Sequence, residues 1–174
     1  MSFLARIFGA RSDRAAYGPA YQAIVAAGRD PYWYRDGHVP DTVDGRFDMI
    51  AAVMALVLLR LEKEGKAAAD ASVLLTELFI ADMEGSLREM GIGDPVIGKH
   101  VGKVMSALGG RLAAFRDAES GSGSFAPAVR RNVFHDSPPG EALVALVAAR
   151  LERFRDALAA APTDSLLAGE VPRP

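Results

Sequence analysis

The chain has 174 residues, half of them apolar, with a formal net charge of −2 and no cysteine. That length suits one domain with a sizeable core, and the missing cysteine excludes disulfides, thiolate metal sites and cysteine nucleophiles. The longest uncharged apolar run, Met49–Leu59, makes about 16 Å of helix against a hydrocarbon core of about 30 Å, so it reads as a buried central helix and not a membrane span.

Residues 1–12 open the chain with Phe3, Leu4, Ile7 and Phe8 on one side of a short helix and Arg6 and Arg11 nearby. The segment lacks the long apolar region and cleavage site of a signal peptide. It reads either as disordered or as a weak contact with an anionic membrane surface. A helical domain is expected over 13–161. Asp13 offers the first N-cap, Tyr17, Tyr21, Ile24 and Val25 share one face, and Gly28 is the stop. RDPYWYRDGHVPDTVDGR (29–46) reads as a loop of turn formers and aromatics. Asp44 is then placed as the N-cap of Gly45–Glu64, with Phe47, Ile50, Met54, Val57, Leu58 and Leu61 at helical spacing.

Gly65 breaks that helix. The next is expected over Ala67–Met90, with Leu75, Phe79, Met83 and Leu87 facing inward and Gly91 closing it at positive φ. Asp94-Pro95 opens another, an acidic cap followed by proline at the first helical position. Its core face is Ile97, Val101, Val104, Met105, Leu108, Leu112 and Phe115. ESGSGS (119–124) is a turn, Phe125–Phe134 a short helix and Glu141–Ala160 the last long one. The tail, 162–174, is poor in core residues and is expected to fray. The fold class is all-α: a single bundle-like domain of about five to six helices.

GDPVIGKH (93–100) stops one residue short of the phosphate-gripping loop G-x-x-x-x-G-K-[S/T]. His100 replaces the magnesium-ligating hydroxyl, and the preceding FIADMEGSLREM has helical period where that loop needs a strand. No nucleotide is therefore expected. Di-iron bundles need Glu-x-x-His pairs, but Arg35, Ile97 and Asn132 stand three before His38, His100 and His135. No G-x-S-x-G elbow occurs. The expectation is an absence of catalytic residues, metal and cofactor, and no specific binding of DNA.

Two surface features point to a partner. Acids crowd 62–94 (among them Glu62, Glu64, Glu77, Asp82 and Glu84), and cations crowd 99–131 (Lys99, Lys103, Arg111, Arg116, Arg130, Arg131). This asymmetry is either two solvated helix faces or a binding face. Within the second block, Gly98, Gly102 and Gly109 fall within about 40° of one another around the helix, beside a stripe holding Lys99 and Lys103. Each interior glycine costs about 0.5–1 kcal/mol relative to alanine. The expectation is that Gly102 lies against another helix backbone, in this chain or in a partner.

PYWYRDGHVPDTVDGRFDM (31–49), LREMGIGDPVIGKHVGKVMSALGGRLAAF (87–115) and FAPAVRRNVF (125–134) together resemble the ubiquinol–cytochrome c reductase assembly chaperones of mitochondria and alphaproteobacteria. The resemblance implies an α-helical, non-enzymatic assembly factor for respiratory complex III. Its partners would be cytochrome b or other complex III subunits, and the ribosome. Its place would be the cytoplasm, peripheral at the inner membrane. Asp41, Asp44, Gly45, Arg46 and Asp48 match the first motif. Arg88, Glu89, Gly91, Gly93, Asp94, Gly98, Lys99, Lys103 and Arg111 match the second. Of these, Asp44, Arg46, Asp48, Gly93, Asp94, Gly98, Lys99, Lys103 and Arg111, together with Gly102, are the expected partner-binding residues. His100 and Gly102 stand where the family carries further lysines, which implies a less basic face. A helical adaptor for another protein, or an enzyme or carrier for an apolar quinone or lipid, are the competing functions. An open groove with charged rims favours the chaperone, and ionisable groups clustered in a deep pocket favour the enzyme.

Overall fold

Every regular element among the described residues is a helix, as the three-to-four-residue spacing of apolar side chains dictates. The chain order is Gly18–Gly28 (α1), Pro31–Arg35 (α2), Val43–Glu62 (α3), Ala69–Glu89 (α4), Asp94–Ser120 (α5), Ala126–Asn132 (α6), Glu141–Ala160 (α7) and Thr163–Leu167 (α8), with a 3-10 turn at Gly65–Ala68. The computed structural model describes residues 14–174 except 90, 92, 93, 122, 123, 136 and 138, and no side chains at 94–97. The expectations for residues 1–12, the Asp13 cap, Met90, Gly93 and the side chains of Asp94 and Ile97 lie outside the described residues.

A helix that is apolar all round must be enclosed by protein. This is the state of α3, buried without interruption from Asp48 to Leu59. Helices α1, α4, α5 and α7 pack around it. Near its C-terminal end Arg60 reaches the carbonyls of Leu158 at 3.0 Å and Ala161 at 3.3 Å, so its charge sits at the end of α7, where unpaired carbonyls favour a cation. Among the described residues no helix is long and apolar enough to cross a membrane.

Three expectations change. The aromatic loop contains α2: the Asp30 carboxylate accepts the Tyr32 N–H at 2.9 Å with proline at the first turn, and Trp33 is fully buried, its indole N–H on the Ala27 carbonyl at 2.8 Å. The N-cap of α3 is Thr42, whose hydroxyl accepts the Gly45 N–H at 3.1 Å, and Asp44 sits inside the first turn. The tail does not fray. Leu166 is 1% exposed, Arg60 binds the Thr163 hydroxyl at 3.2 Å, and Arg150 donates to the Pro174 carbonyl oxygen.

Candidate functional site

Helices α4 and α5 run antiparallel across α3. Met83 and Leu87 of α4 face Val104 and Ala107 of α5 at one end, and Ser72 and Thr76 face Leu112 and Arg116 at the other. At the first end the two helices part over the start of α3 and leave a groove of about 250 Å³. Val43, Phe47, Met83, Leu87, Val104 and Ala107 give it apolar walls, while Asp44 and Lys103 put charge on its rim and His100 adds an imidazole. Phe47 stacks on Phe79 with centroids 6.1 Å apart, which fixes one wall to the core. Val43, 62% exposed, presents its side chain beside the opening. Two of the expected residues, Asp44 and Lys103, therefore meet on one rim although 59 positions separate them (103 − 44).

Asp48 and Arg111 take a different position from the one expected of partner-binding residues: both are buried, at 4% and 3% exposure. They form an ion pair that ties α3 to α5. Arg111 also donates to the carbonyls of Ala107 at 3.0 Å and Asn132 at 2.6 Å, and the second Asp48 oxygen meets His135 Nε2 at 2.7 Å. The cluster thus joins α3, α5 and the end of α6 immediately behind the groove, with Arg111 5.6 Å from the Phe47 ring centroid. Burial pushes the Asp48 carboxyl up and the Arg111 guanidinium down, each against the attraction of the other. These residues hold the wall in place and cannot meet a partner at the surface. Spacing gives the signal for this: Arg111 lies three residues after Leu108 and four before Phe115, on the core face of α5.

Arg46 points away from the groove. It pairs with Asp41 at 2.7 Å and lies 5.8 Å from the Tyr34 ring centroid. The glycine stripe removes one of the two alternatives expected for Gly102, the contact within this chain. A Cβ placed on Gly98, Gly102, Gly109 or Gly110 would meet nothing within 4 Å, so Gly102 does not lie against a helix of this chain. Close approaches occur elsewhere, at Gly28, Gly37 and Gly45, where an added Cβ would fall 2.7 Å from Ile50 Cα, 2.7 Å from the Trp33 carbonyl oxygen and against the Pro40 carbonyl oxygen.

The acidic and basic blocks meet at Arg116–Glu62, 2.7 Å apart, and Arg14 covers Glu77 at 2.6 Å, whereas Lys63–Glu119 at 3.2 Å joins the minority charge of each block. Lys99 and Lys103 remain exposed and carry no ion pair among the described residues. The segment before GDPVIGKH is the helix α4, so the strand that a phosphate loop requires is replaced by a helix.

An all-helical bundle with an open, apolar, charge-rimmed groove has the architecture of a binding or chaperone domain. Residues 35–173 match the family model described as ubiquinol-cytochrome C chaperone, and the chain belongs to that family. It is similar to the Cbp3 homolog from Brucella abortus, whose crystal structure superposes with a TM-score of 0.79 at 28% identity, over 98% of this chain and 96% of that one. No curated protein matches.

Proposed function

We propose that the protein is a non-enzymatic chaperone that holds an apolar segment of cytochrome b while the cytochrome bc complex is assembled, working from the cytoplasm at the face of the inner membrane. The observation that supports this most directly is the groove, built from the segments that carry the family motifs and apolar on its walls with charge at its rim. Apolar walls of this kind bind a stretch of chain that later becomes buried. Lys99 and Lys103, exposed one turn apart on α5, steer an acidic flank of the client or a ribosomal surface toward the opening. The ionisable cluster of Asp48, Arg111 and His135 lies behind the wall, not inside the groove, and this favours binding over catalysis.

The test is a strain lacking the protein, restored with wild type, with Val43→Asp, or with Lys99→Glu and Lys103→Glu together. Cytochrome b and assembled complex are then measured in membranes. All three positions are exposed, so folding should be retained. The deletion should lower both readouts, Val43→Asp should restore them poorly, and the lysine pair should restore them least at low salt, where exposed charges act furthest. Normal cytochrome b in the deletion strain would refute the function. Full restoration by both variants would refute the groove.

A further inference from the structure

Around Arg46, which does not line the groove, lies a recess of about 340 Å³ lined by Arg29, Pro31, Tyr34, Arg35, Asp41 and Arg46. We propose that it binds a phosphate-class anion, either a soluble phosphate monoester or the headgroup of an anionic phospholipid. Three guanidinium groups face one carboxylate, an excess of positive charge that a dianion would neutralise. Local structure brings the three together. The Asp30 cap turns the chain into α2, and the Tyr34 hydroxyl donates to the Gly28 carbonyl at 2.8 Å, folding α2 back on α1. The start of α3 then places Arg46 across the Tyr34 ring.

Most of the donors remain available. Arg29 carries no ion pair among the described residues, and Arg35 donates Nε and Nη2 to its exposed neighbour Asp36, each at 3.3 Å, keeping Nη1. Arg46 spends only its Nε on Asp41 and keeps its terminal nitrogens. The planar, forked guanidinium matches a tetrahedral oxyanion in a way a lysine does not. Beyond Arg29 and Pro31 a second recess, of about 420 Å³, adds Arg173 together with the Asp30 carboxylate, which accepts the Tyr32 N–H, and leaves room for the ester group of the ligand.

The first measurement follows backbone amide shifts of the full chain while inorganic phosphate is added in a low-salt, phosphate-free buffer. Saturable shifts confined to residues around 29–46 are expected, weakening as salt is raised. Arg29→Gln with Arg35→Gln should weaken binding at least about tenfold, whereas Asp41→Asn, which removes the competing carboxylate, should strengthen it. A purely structural role for Asp41 would not produce that opposite sign. The second measurement floats the protein with phosphatidylglycerol or phosphatidylcholine vesicles. Flotation with the anionic vesicles alone, lost in the double variant, identifies a headgroup; saturable phosphate binding without flotation identifies a soluble monoester. The site is refuted if phosphate leaves residues 29–46 unshifted and flotation is absent or unaffected by the variant. It is equally refuted if the folded double variant, checked by circular dichroism, binds phosphate as wild type does.

Discussion

Removing one partner of the Asp48–Arg111 pair leaves the other charged group inside the bundle without its opposite. Asp48→Ala or Arg111→Ala alone should therefore destabilise the fold by about 3–5 kcal/mol in urea unfolding. Asp48→Leu with Arg111→Met should recover most of that loss, because neither desolvation cost then remains. A double variant as unstable as the sum of the singles would contradict this account. Tyr34 supplies a pH test. Burial raises its phenol to about 12, against an ordinary value of 10.0. The unfolded chain releases this proton first, so between these values the folded state holds more protons and stability falls as pH rises. Tyr34→Phe should make that alkaline decline shallower, measured by melting temperature across the interval. The spacing of Arg111 from Leu108 and Phe115 carried its place on the core face of α5, a signal overlooked in expecting a partner-binding residue there. Its pairing with Asp48 was hidden, since nothing local pairs positions 48 and 111.

Among the elements, α5 was legible in its start and length and in most of its apolar face, although Met105, expected on that face, is 40% exposed, and its glycines meet no helix of this chain. A stripe of small residues has the same spacing whether it touches a backbone or faces open space. Because a Cβ at Gly102 meets nothing within 4 Å, Gly102→Ala should stabilise the protein by about 0.5–1 kcal/mol. Gly28→Ala should do the reverse and cost about 1–3 kcal/mol, as its Cβ would press on the Ile50 backbone where α1 crosses α3. Melting curves that rank the two variants the other way would overturn the assignment. In α2 the signal was present and passed over: Asp30-Pro31 is the same cap-and-proline pair that marks Asp94-Pro95 as a helix start. Its five residues were too few for periodicity to register.

For the whole molecule, the all-helical bundle and the buried α3 could be read from apolar spacing, and the family from three motifs. The groove could not, because its walls come from three helices whose mutual placement is set by packing. The tail was judged by composition alone, which misses what one buried leucine can anchor. Leu166→Ala should lower stability by about 2–5 kcal/mol, seen as a lower urea midpoint; an unchanged midpoint would return the tail to a passive role. The bond from Arg111 to Asp48 and its second bond to the Asn132 carbonyl have a mechanical consequence. A one-turn slip of α5 along its axis, about 5.4 Å, would strip the guanidinium of both anchors at once, so α5 is barred from ratcheting past α3. The α3 and α5 walls of the groove thereby keep one register relative to each other.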